Sequence, residues 1–76
     1  MATRDEVFDA INSERNYQDT RWPGHEHEIA SYLTYMQSYL NEAINIASKT
    51  AALDALRKVV TLGVKCMEEH GAPLRK

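Results

Sequence analysis

The sequence predicts an all-α fold, a three-helix bundle or bent helical hairpin that self-associates, in a single domain over residues 1–76. Three observations predict it. Apolar side chains recur at helical spacing through most of the chain. Both prolines fall at two chain breaks, Pro23-Gly24 and Gly71-Ala72-Pro73. The apolar surface also exceeds what three helices need to cover one another.

The first helix is expected to begin at about Arg4, because Thr3 followed by Glu6 fits a capping box. Val7, Phe8 and Ile11 bury its first turns, and the same face then turns polar through Glu14, Gln18 and Arg21/Trp22. Pro23 and Gly24 stop it. The second helix is expected over Glu26 to Ala47 and carries two apolar seams. One is Ile29, Leu33, Met36, Leu40, Ala43 and Ala47; the other is Tyr32, Tyr35, Tyr39 and Ile46. Together they span roughly 200° of helix, twice an ordinary surface stripe, so this helix is either central or carries a partner. The connection SKTA is short enough for an antiparallel pair. Thr50 is the expected cap of the third helix, and His70-Gly71 with Pro73 its end. Leu53, Leu56, Val60, Val64 and Met67 form its inner stripe, while Asp54, Lys58, Lys65 and Glu69 are expected to face water.

A chain of 76 residues is near the lower limit for a single apolar core, and self-association would help it. Cys66 is the sole cysteine, which excludes an intrachain disulfide or a cysteine-based zinc site and suits a reducing compartment. It is expected to pack as a small hydrophobe. The opening MATRDEVFDA has no signal-peptide run, and no stretch approaches the roughly 18 apolar residues of a membrane span. The expected location is the cytoplasm, without a membrane partner. Net charge is −2, but unevenly spread: −4 over residues 1–28 and +2 over 29–76. That asymmetry suits intersubunit pairing. No basic stripe is present for a nucleic-acid polymer.

The chemistry-bearing residues crowd into NSERNYQDTRWPGHEH, residues 12–27. Tyr17 and Trp22 supply faces that stack on nucleobases, Asn12, Asn16 and Gln18 supply amides that read base edges, and Arg15 and Arg21 supply forks for phosphate. Tyr35 and Glu42 of the second helix are candidate contributors across a subunit interface. A purely structural reading stands beside this one: Trp22 plugs the bundle end, Tyr17 packs on the second helix, and Glu14 and Arg15 pair charges between subunits. Glu42 either pairs with an arginine, Arg15 or Arg57, or lines a site. Arg57 can reach inward to an acid or a phosphate, and Lys58 points to water. The HEHE run, His25 to Glu28, has metal-ligand residue types but no further spaced ligand, so no metal is assigned. Its acids are explained as first-turn complements of the helix dipole. Without a Ser/His/Asp order, a Gly-rich phosphate loop or paired catalytic carboxylates, neither a cofactor nor a catalytic residue is assigned.

The stretches INSERNYQDTRWPGHEHEIASYLTYMQSYLNEA and ALDALRKVVTLGVKCMEEHGAP resemble a group of short phage and prophage proteins. In these an ER-YQD-RW helix, an H-I--YL helix start and a final L-K--ALGV-C-E-HG helix recur. The resemblance covers nearly the whole chain and places the protein in the host-cell cytoplasm. Some members are loosely similar to MazG-type nucleotide pyrophosphohydrolases, an all-α family that holds magnesium with E-x-x-E and E-x-x-D pairs. Here Glu42 has Tyr39 and Asn45 three residues to either side, and Glu69 has Cys66 before it, so those pairs are absent at Glu42 and Glu69. In type, though not by an alignable motif, the chain also resembles phage sponges that sequester signalling nucleotides of CBASS or Thoeris defence. The resemblance implies a homo-oligomeric anti-defence binder of a small nucleotide that performs no catalysis. Two alternatives remain beside it: an interaction module that binds a host protein through the tyrosine seam, and a divergent metal-dependent hydrolase using Glu14, His27 and Glu42.

Overall fold

Thr3 closes the expected capping box. Its hydroxyl oxygen accepts the Glu6 amide at 3.2 Å, and the Glu6 carboxylate accepts the Thr3 amide at 3.2 Å. Two amides left open at a helix start are thereby satisfied. The resulting helix, α1, spans Arg4–Arg21. The computed structural model describes residues 1–24 and 26–75; two more helices follow, α2 (Ile29–Ile44) and α3 (Lys49–His70), and no strand occurs among the described residues. The all-α class is as the sequence predicts.

α2 is shorter than its apolar pattern. At its start the His27 amide donates to Glu69 at 3.4 Å, and the His27 carbonyl accepts from His70 Nε2 at 2.7 Å. These contacts with the end of α3 hold residues 26–28 outside the helix, so Glu28 is the N-cap, without a side-chain capping bond. At the other end the Asn45 amide turns back onto Glu42 and Ala43, while its side chain donates to the Asn41 carbonyl at 3.0 Å. Ser48, not Thr50, caps α3 by accepting the Ala51 amide at 3.3 Å. Gly71 ends α3 at φ +111°, where a side chain would be strained.

The central element is α3, so of the two readings of the second helix, central or partner-carrying, the central one does not hold. Arg57 and Glu68 reach α1, at Glu14 and Arg15, whereas Gly63 and Glu69 meet α2, at Met36 and Tyr32. At about 100° per residue these two pairs point to roughly opposite sides of α3. α1 and α2 do not pack on each other. Gly63 lets α2 come close, since a Cβ placed there would lie 3.4 Å from Met36 Cε.

This open arrangement leaves a small core. Among the described residues the buried apolar side chains are Tyr32 and Val59, with 1% and 4% of their surface exposed. Gln18, Thr61 and Lys65 are buried beside them. The Thr61 hydroxyl donates to the Arg57 carbonyl at 2.7 Å, one turn back. Lys65 does not face water as its place in the sequence predicts; its stem crosses toward the Tyr32 ring, with Nζ 5.9 Å from the centroid, and its ammonium lies 3.8 Å from Glu69. A long aliphatic stem covers apolar surface while its charge keeps a carboxylate partner, which makes the burial tolerable.

Candidate functional site

Because α1 and α2 flank α3 without touching, one side of the molecule opens into a cleft of about 430 Å³. Its floor is Leu62 and Lys65 of α3. One wall is Gln18 and Trp22 at the end of α1; the other is Tyr35 and Tyr39 of α2, with His27 and Tyr32 closing the end. Trp22 is placed there as the C-cap of α1, its amide donating to the Gln18 carbonyl at 2.8 Å. Tyr32, Tyr35 and Tyr39 follow from i, i+3, i+7 spacing on α2, which turns all three toward the cleft end of the α2/α3 contact. The His27 ring stands edge-on to Tyr32 at 5.3 Å and to Tyr35 at 5.4 Å between centroids. Such edge-to-face pairs fix the ring planes. Trp22 and Tyr35 each keep 47% of their surface exposed and Tyr39 37%, so their faces are open to a ligand.

Two polar groups define what the cleft presents. The Tyr32 hydroxyl donates to Glu69 at 2.6 Å, a short charge-assisted bond. Burial, the bond to Glu69 and the neighbouring carboxylate charge together push the Tyr32 phenol far above its ordinary range. The same bond, opposed by desolvation and aided by the His27 amide and Lys65, holds Glu69 below its ordinary 4.5. The second group is Gln18. Only 5% of its surface is exposed, and its Oε1 is buried without a hydrogen-bond donor.

The sign of the two shifts sets a pH window. A carboxylate whose folded pKa is depressed stabilises the fold above its unfolded value, and that stability disappears as pH falls through the folded value. A phenol whose folded pKa is raised stabilises below its unfolded value of 10 and loses this as pH rises. Thermal unfolding should therefore show midpoints falling on the acid side of about pH 4.5 and on the alkaline side of about pH 10. Glu69→Gln should blunt the acid limb and Tyr32→Phe the alkaline one; unchanged limbs in both variants would remove the pair from this role.

The ion pairs account for other residues of the polar cluster. Arg15 donates to Glu68 at 2.5 Å and to Asp19 at 2.7 Å. Burial works against its charge, but the bonds to Glu68 and Asp19 prevail and raise its pKa. Arg57 donates to Glu14 at 3.0 Å and also to Asp54. The Glu14 bond leads in raising the Arg57 pKa, and the Arg57 bond leads in lowering that of Asp54. Glu14 and Arg15 thus pair with α3 of their own chain, and neither Arg15 nor Arg57 pairs with Glu42.

Of the residues singled out from sequence, Gln18, Trp22 and Tyr35 meet in the cleft. Tyr17 and Arg21 lie with Thr20 along a shallow depression about 100° around α1 from Gln18 and Trp22. Asn12, Asn16 and Glu42 are exposed and outside the cleft lining. Sequence reasoning misses Leu62 and Lys65 as site residues, and names His27, Tyr32 and Tyr39 only under the hydrolase and partner-binding alternatives, not for the ligand site. For the tyrosines the available signal is their shared seam; for Lys65 it is an acid one turn later, at Glu69. His25 of the HEHE run lies outside the described residues, and among those described no three His, Cys, Asp or Glu side chains converge. No described helix is long and apolar enough to cross a membrane. No protein-family profile matches the chain, and no curated protein or solved structure is significantly similar to it.

Proposed function

We propose that the protein is a non-catalytic binder that sequesters a small signalling nucleotide, seating the base in the cleft between α1 and α2. The observation that carries this reading is the buried Gln18 Oε1, left without a donor at the wall of a cleft whose other lining is aromatic. A buried acceptor without a partner costs about 1–3 kcal/mol, and a ligand N–H would recover it. Amino-bearing bases offer such a donor together with a flat face for Trp22, Tyr35 or Tyr39. The volume falls within the range of about 300–1,000 Å³ typical of small-ligand sites.

In this reading Arg15 is not the phosphate anchor, because two carboxylates already hold its guanidinium. The cation at the cleft floor is Lys65, whose ammonium is shared with Glu69 at 3.8 Å. Tyr35 comes from the same chain as Trp22, so the base site needs no second subunit. Sequestration on behalf of a phage, against a nucleotide-based defence, is supported by the sequence resemblance. Absence of catalysis is supported by Glu42 and Glu69 having no acidic residue three positions away, while the one E-x-x-D spacing, Glu6 to Asp9, lies in the first turns of α1, where Glu6 closes the capping box.

Trp22 is the sole tryptophan and reports on its own site. Titration with AMP, cyclic di-AMP, cyclic oligoadenylates and ADP-ribose should quench its fluorescence with at least one of them. Stacking is worth about 1–3 kcal/mol per base, so Trp22→Ala should weaken binding of that nucleotide about 5- to 150-fold by calorimetry. Tyr17→Ala, outside the cleft, should leave it unchanged. A folded Trp22→Ala protein with full affinity would overturn the site, and indifference to the whole panel would overturn the ligand class.

A further inference from the structure

The side of the molecule away from the cleft is apolar and uncovered. On α3, Leu53, Leu56, Val60 and Met67 share one stripe, and 54%, 45%, 40% and 47% of their surfaces are exposed. At about 100° per residue this stripe lies roughly opposite Leu62 and Lys65, the cleft floor. On α2, Ile29, Leu33, Leu40 and Ile44 form a second stripe. It runs along the edge of the α3 contact opposite to Tyr35 and Tyr39. Val7 and Ile11 of α1 border the α3 stripe on its other flank, across an apolar groove of about 510 Å³.

Two measures say how much is missing. The chain exposes 6238 Å², whereas a compact monomer of its mass exposes about 4,700 Å². Its radius of gyration is 13.1 Å, against about 11.4 Å for a compact domain of this length. The excess, about 1,500 Å² per chain, is nearly twice the roughly 800 Å² that each partner hides in a standard interface and falls in the range of obligate homodimers. A core of two buried apolar side chains among the described residues, Tyr32 and Val59, is too small for a domain expected to stand alone.

We propose that a second copy of this chain covers the face formed by the outward stripes of α2 and α3, giving a two-fold dimer with one ligand cleft open on the outside of each protomer. A two-fold pairing places the same patch on both sides of the interface, so one apolar face is sufficient for closure. Half of the widened apolar arc of α2 then serves the chain's own fold and half serves the partner. The two clefts are independent of the interface, so the dimer stands or falls separately from the nucleotide reading.

Sedimentation equilibrium of the full chain should give twice 8.7 kDa. The thermal midpoint should rise with protein concentration, as association linkage requires. To locate the face without a disruptive charge, Val60→Cys in a Cys66→Ala background should react with a bulky maleimide at least tenfold more slowly at high concentration than after dilution to monomer. Lys58→Cys, on the cleft side of α3, should react equally fast in both. A monomer at every concentration overturns the proposal, including one that binds phosphatidylcholine vesicles or a different protein instead. A trimer or larger ring overturns the two-fold form, and a dimer in which the thiol of the Val60→Cys variant reacts freely overturns the face.

Discussion

Tyr32→Ala is expected to remove a large share of the protein's stability. The side chain is buried, touches the rings of His27 and His70, and anchors Glu69 through its hydroxyl. Truncating a large buried aromatic costs about 3–5 kcal/mol, and a domain of this length has only about 4–11 kcal/mol in all. The loss falls on one of the two apolar side chains buried among the described residues, so little else remains to hold α2 on α3. Tyr32→Phe separates the two contributions. It keeps the ring and removes a bond to a charged acceptor, worth about 1.5–3 kcal/mol, while Glu69 retains the His27 amide and Lys65. Urea titration followed by circular dichroism, at one fixed protein concentration, should rank wild type above Tyr32→Phe and Tyr32→Phe above Tyr32→Ala. A Tyr32→Ala stability within about 1 kcal/mol of wild type, far short of the cost of truncating a buried ring, would show that the α2/α3 contact is not centred on this residue.

Local signals in the sequence are reliable where short-range chemistry decides. The Thr3/Glu6 box, the stop near Pro23-Gly24 and the Gly71 end of α3 each depend on residues within one turn. Which helix sits in the middle depends on long-range contacts, and here the sequence leaves two readings open. Apolar width does not measure centrality, because it records every covered face, including faces that the chain itself leaves open, such as Leu33 and Ile44 at 58% and 78% exposure. α3 is central with a narrower greasy arc, because two of its flanks use polar contacts: Arg57 to Glu14 and Glu68 to Arg15 on one, Glu69 to Tyr32 on the other.

The candidate site is half legible for the same reason. Gln18 and Trp22 lie one turn apart on α1, so their neighbourhood follows from helical spacing. Lys65 is far from Gln18 in sequence and joins it only because α3 lies under both walls. Arg15 looks like a phosphate ligand in the sequence because its partner Glu68, 53 residues away, cannot be found by any local spacing rule. The shortened start of α2 has the same origin: the backbone groups of His27 are taken by Glu69 and His70 of another helix.

Gln18→Met is expected to make the protein more stable and worse at binding. Methionine has nearly the length and shape of glutamine, so it fills the same space between α1 and α3 with a side chain that needs no donor. Removing an unsatisfied buried oxygen returns its desolvation penalty, and the variant should gain about 1–2 kcal/mol in urea unfolding. If the oxygen is held in place for a ligand N–H, the same change removes that bond and weakens nucleotide binding about tenfold or more. Opposite movement of stability and affinity is characteristic of residues retained for function at the expense of the fold. A purely structural Gln18 behaves otherwise: its replacement lowers stability and leaves affinity unchanged. Since stability and affinity must move in opposite directions in the first case and not in the second, this variant tests the role of the cleft whichever nucleotide occupies it, provided the tightest binder of the titration panel is used as probe.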